Sequence, residues 1–71
     1  MNKDIIAEKL KACRGDRSRQ EVADALGIST SAIRMYEAGE RIPRDEVKLA
    51  LARYYSTTVQ SLFFESQTQA S

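Results

Sequence analysis

The chain reads as all-α, a compact bundle of five short helices. Three observations carry that expectation. Apolar residues recur at i, i+3, i+4 and i+7 rather than in alternation. The apolar stripes open after Ser, Thr or Pro, and glycine follows several of them where a helix needs a stop. No window offers a convincing strand. Seventy-one residues make one domain, with residues 1–64 folded and residues 65–71 a polar tail without fixed structure. A chain this short buries only about 60–65% of the surface its unfolded form exposes, so its modest core must be well packed.

The first helix spans about Asp4 to Arg14, because Ile6, Leu10 and Cys13 fall on one stripe and Gly15 follows. Cys13 is expected inside, as a small buried hydrophobe. Ser18 opens the second helix, and Ser18-Arg19-Gln20-Glu21 fits a capping box. Its apolar face is Val22, Ala23 and Leu26, and Gly27 ends it. Ser29 caps the third helix, about Thr30 to Ala38, with Ile33 and Tyr36–Glu37 turned inward and Gly39 as terminator. The tight connection Gly27-Ile28-Ser29 forces the second and third helices to cross steeply, the geometry of a helix-turn-helix. Pro43 stands ahead of a fourth helix, whose first turn carries Asp45 and Glu46 at the positive end of the dipole. Val47, Leu51, Ala52 and Tyr55 form its stripe. Thr58 caps a last short helix bearing Val59, Leu62 and Phe63.

Composition excludes several classes. Hydrophobic residues at 42% and charged residues at 30% are ordinary for a soluble domain, and no apolar run approaches the roughly 20 residues that span a bilayer. Met1-Asn2-Lys3-Asp4 lacks the apolar region of a secretory signal, so the expected location is the cytoplasm. Cys13 is the only cysteine and histidine is absent, which excludes an internal disulfide, a Cys/His zinc site and histidine general-base chemistry. No nucleophile–base pair, metal-ligand cluster or phosphate-binding glycine loop is visible, so the chain is expected to be neither an enzyme nor a cofactor or metal carrier. The net charge of +1 does not mark a nucleic-acid binder by itself. Any such case rests on where the arginines sit.

The segment Ser18 to Gly39 resembles the helix-turn-helix of Cro-type and lambda-repressor-like regulators, the XRE family. That pattern is roughly Ser-Gln-x-x-Leu-Ala-x-x-Leu-Gly-Val-Ser-x-x-x-Ile-x-x-aromatic-Glu-x-Gly. Val22-Ala23, Leu26-Gly27, Ile28-Ser29, Ile33, Tyr36-Glu37 and Gly39 stand in register. Leu51-Ala52, Tyr55, Val59 and Leu62-Phe63 match the family's fourth and fifth helices, so the resemblance covers residues 4–64. Two departures matter. Arg19 replaces the usual glutamine, and the turn before the second helix is about two residues shorter than the family's, which leaves the placement of Arg17 open.

The resemblance implies a lambda-repressor-like DNA-binding domain whose third helix lies in the major groove of double-stranded DNA. Carried over by position, the base readers are Thr30, Ser31, Arg34 and Met35. Independently, Thr30, Ser31 and Arg34 project away from the Ile33–Glu37 face and carry hydroxyls or a guanidinium fork. Arg34 is the leading reader, since bidentate arginine on guanine O6 and N7 is the commonest specific pairing. The plainer alternative for each is a solvated surface side chain, and for Met35 sideways packing. Phosphate contacts are expected from Arg19, Gln20, Ser29, Arg41 and Arg44. Arg14 and Glu37 are expected as a structural ion pair fixing the recognition helix. Phe64 either forms a dimer contact or folds back over the first helix. A two-fold homodimer implies a palindromic operator with half-sites one helical turn apart.

Two functions follow. The first is a sequence-specific transcriptional regulator, a repressor, since occupying a promoter needs no further domain. The second is an antitoxin or anti-repressor whose scaffold holds a protein partner.

Overall fold

Asn2 opens the fold. In the computed structural model, which describes residues 2–64, its side-chain oxygen accepts from the N–H groups of Asp4 at 2.9 Å and Ile5 at 3.1 Å. These bonds satisfy two of the four N–H groups that a helix start leaves orphaned. Helix α1 therefore runs Lys3–Arg14, slightly ahead of the start expected at Asp4. It is followed by α2 (Arg19–Leu26), α3 (Thr30–Glu37), α4 (Asp45–Tyr54) and a closing π-helical turn, Gln60–Phe64. The described residues contain five helical elements and no strand, which is the all-α fold the sequence predicts. No helix among them is long and apolar enough to cross a membrane. The polar tail at residues 65–71 lies outside the described residues.

One core joins all five elements. Ile6 and Leu10 of α1, Val22 and Ala23 of α2, Ile33 and Tyr36 of α3, Leu51 and Ala52 of α4, and Leu62 and Phe63 of the closing turn are all buried. Burying one such aliphatic or aromatic side chain contributes about 1.5–3 kcal/mol, so a core this small depends on every one of them. Helix α3 packs against both α1 and α2, while α4 lies on α2 and the closing turn on α1. Lys9 fastens that last contact, its Nζ donating to the Ser61 carbonyl at 2.7 Å.

Two burial expectations change. Cys13 is only half-buried, packed at the rim of the core rather than inside it. Lys48, absent from the expected α4 stripe, is buried. Its ammonium lies 5.7 Å from the Phe63 ring centroid and 5.4 Å from that of Phe64. The apolar stem packs while the charge rests against aromatic faces, so the lysine behaves as a core residue with a polar tip. Phe64 accordingly has the Lys48 ammonium of α4 against its ring and remains 39% exposed.

Candidate nucleic-acid interface

Local chemistry sets the angle between α2 and α3. Ser18 Oγ accepts from the Glu21 N–H at 3.0 Å, the forward half of the expected capping box. At the other end of α2, Gly27 takes φ +70°. The Ile28 N–H then reaches back to the Ala23 carbonyl at 3.0 Å, and the Gly27 N–H to that of Asp24 at 3.3 Å. This pair of bonds is a Schellman stop. It turns the chain so that Ile28 packs on the core and Ser29 caps α3 at once, with Ser29 Oγ accepting from Ala32 N–H at 3.0 Å.

Helix α3 is sharply two-sided. Ile33, Tyr36 and Glu37 are buried, whereas Ser31, Arg34 and Ala38 are exposed on the opposite side. Thr30 and Met35 are half-buried at the borders. Arg34, Met35, Ala38 and Glu40 line an open recess of about 310 Å³ beside the helix. Arg34, Ser31, Thr30 and Met35 thus form one continuous surface strip from the N-terminus of α3 toward its last turn.

A buried carboxylate holds that strip in place. Glu37, with its side chain only 3% exposed, accepts from Arg14 Nε at 2.8 Å through Oε2 and from Arg19 Nε at 3.2 Å through Oε1. One residue of α3 is thereby tied to the end of α1 and the start of α2. The hydrogen bond to Glu37 raises the Arg14 pKa above its ordinary value, against burial, so the guanidinium stays charged. Arg14 also donates through Nη1 to the Arg17 carbonyl at 2.8 Å. Arg17 itself turns toward α4, its guanidinium 5.2 Å from the Tyr54 ring centroid and 5.5 Å from that of Tyr55.

Gln20 and Thr30 meet across the turn, the Thr30 hydroxyl and Gln20 Oε1 lying 3.0 Å apart, while Gln20 Nε2 donates to Asp24 Oδ1 at 2.8 Å. The remaining candidates stand apart from α3. Arg41 is exposed in the loop after it, and Arg44 lies 3.8 Å from Glu46 with both side chains 79% exposed. So exposed a pair is worth about 0–1 kcal/mol and leaves Arg44 available to other anions. The second arginine on Glu37 and the Asp24–Gln20–Thr30 chain are visible only in the structure. Gln20 and Asp24 stand at i, i+4, a spacing that favours such a bond within one helix, but nothing local announces the link across to Thr30.

Residues 6–62 match a family model described as Helix-turn-helix. The chain is also similar to the cryptic phage CTXphi transcriptional repressor RstR of Vibrio cholerae, with 27% identity over 66 residues. That alignment covers 90% of this chain and 60% of the relative, so the chain spans well under the relative's whole length. No solved structure matches the chain significantly.

Proposed function

The chain belongs to this helix-turn-helix family, and from that premise we propose that it is a sequence-specific, double-stranded-DNA-binding transcriptional repressor acting in the cytoplasm. The observation that carries the reading is the two-sidedness of α3. Its apolar and carboxylate face is locked into the core, and its outward face presents hydroxyls and an unobstructed guanidinium. A helix so held is stiff enough to enter the major groove and polar enough to read base edges there. Arg34 reads guanine, with Thr30, Ser31 and Met35 on neighbouring bases. Arg19, Gln20, Ser29, Arg41 and Arg44 contact phosphates and set the register. Arg19 serves twice, since its Nε is engaged by Glu37 while the side chain keeps 40% exposure. Similarity to a phage transcriptional repressor supports repression over activation.

The repressor acts as a two-fold homodimer on a palindromic operator, with half-sites about one helical turn, roughly 34 Å, apart. Phe64, 39% exposed, and Leu49, 54% exposed, support a contact on the α4 side of the bundle.

Selection from a random duplex pool, followed by anisotropy titration, tests the reading. Arg34→Ala should lower affinity for the selected site by about 1–3 kcal/mol and leave random duplexes nearly unaffected. Equal losses on both would remove Arg34 from base reading. A pool with no enriched sequence would overturn the proposal.

A further inference from the structure

The Asp24–Gln20–Thr30 chain runs across the turn and ends on the first residue of α3. We infer that it is a specificity device, making the Thr30 hydroxyl an acceptor only, so that Thr30 selects a base carrying a major-groove amine: adenine or cytosine. The inference rests on the reading of α3 as the groove-entering helix.

The direction of each bond follows from what each group can do. A carboxylate accepts and does not donate, so at 2.8 Å from Asp24 Oδ1 the Gln20 side chain must present its NH₂. That choice orients the amide and turns its carbonyl oxygen, Oε1, toward Thr30. An amide oxygen also only accepts, so across 3.0 Å the Thr30 hydroxyl must supply the proton. A hydroxyl has one proton and two lone pairs. With the proton committed to Gln20, only lone pairs face outward.

The consequence concerns which base edge fits. Threonine normally pairs with either donors or acceptors in the major groove. Here guanine O6 and N7 and thymine O4 present lone pairs to lone pairs, while adenine N6 and cytosine N4 present N–H groups. In solvent the three side chains are exposed or half-buried, and water competes for each bond. Against DNA that water leaves, and an acceptor facing an acceptor costs more than a missing contact. The polarity of Thr30 is thus set from Asp24, one turn of helix beyond Gln20 and on the far side of it from the base.

The test compares the selected site of the full chain with those of Thr30→Val and Gln20→Leu. Both substitutions alter the surface, and circular dichroism verifies that each variant is folded. The wild-type chain should enrich adenine or cytosine at one half-site position where Thr30→Val shows no preference. An analogue lacking the major-groove amine at that position should weaken wild-type binding about three- to tenfold, the weight of one net hydrogen bond, and Thr30→Val binding not at all. Gln20→Leu frees the hydroxyl proton, so it should admit guanine or thymine at that same position. This readout is a ratio between duplexes and is insensitive to any overall loss of affinity. Enrichment of guanine or thymine there by the wild-type chain, or an unchanged preference in Gln20→Leu, would overturn the inference while leaving DNA reading intact. A wild-type pool with no enriched sequence would overturn both.

Discussion

Glu37 shows how one residue can decide an orientation. A carboxylate 3% exposed near the end of α3 would be untenable alone, because stripping a charge of water costs several kcal/mol. Arg14 and Arg19 both answer it, but unequally. Arg14 is the closer, at 2.8 Å with 17% of its side chain exposed, whereas Arg19 stands at 3.2 Å with 40% exposed. Removing the buried partner should therefore cost far more than removing the exposed one. Arg14→Met is expected to destabilise the fold by about 2–4 kcal/mol, since Arg19 only partly compensates the stranded carboxylate. Arg19→Met should cost less than about 1 kcal/mol. Urea unfolding followed by circular dichroism measures both. Comparable losses for the two would show that Glu37 draws equally on each arginine. On DNA the ranking should invert, because Arg19 alone has surface left for a phosphate.

At the scale of elements, helix stops shape the molecule. Gly39 follows α3 at φ +74°, with its N–H bonded to Tyr36 at 3.3 Å and the Glu40 N–H bonded to Met35 at 3.0 Å. A Cβ there would lie 2.9 Å from Asp4 Oδ1 and 3.6 Å from the Lys3 carbonyl oxygen, so the glycine also lets α3 end against the start of α1. Helix α4 closes by the same two bonds, Ser56 N–H to Arg53 at 3.1 Å and Thr57 N–H to Ala52 at 2.8 Å, but with serine at φ 58°. A left-handed conformation costs a non-glycine residue about 1–2 kcal/mol, while glycine adds about 0.4–1 kcal/mol of unfolded-state entropy. Relief exceeds entropy, so Ser56→Gly should stabilise the protein by about 0.5–1 kcal/mol. Gly39→Ala, strained and crowded together, should lower the melting temperature. A loss of stability in Ser56→Gly would mean that the serine side chain repays its strain. The sequence announced the stops after α1, α2 and α3, because glycine names its own conformation, and the caps at Ser18 and Ser29, because their bonds lie within one turn. It was silent on Ser56, where bonds rather than residue type define the stop. The outward face of α3 was legible from the helical spacing of Ile33, Tyr36 and Glu37. The bonds from Arg19 to Glu37 and from Gln20 to Thr30 join helices through space, and periodicity carries no such information.

Across the whole molecule, charge is organised by position rather than by sum. Net charge is only +1, yet arginines crowd where α1, α2 and α3 converge and in the loop before α4. Tyr55 lies at that convergence, just past α4, where burial above all, with Glu37 and Cys13 adding and Arg14 and Arg17 opposing, pushes its phenol up to about 12. An unfolded tyrosine ionises near 10, so between these values the unfolded chain gives up a proton that the folded chain retains. Stability from this group is complete below pH 10 and drains away as pH rises through about 12. Full linkage would give a slope of about 1.4 kcal/mol per pH unit, and partial exposure lowers it, for a total loss of about 1–2 kcal/mol. Tyr55→Phe keeps the ring and removes the proton, and should melt less steeply with pH across this window than the wild-type chain. Melting curves by circular dichroism from pH 9 to 12 compare the two directly, since the Tyr55 hydroxyl is the one group by which they differ. Parallel profiles would place the alkaline weakness elsewhere. A flatter profile in the variant would locate it under the helix ends that hold α3, so that high pH would loosen the seat of α3 together with the fold.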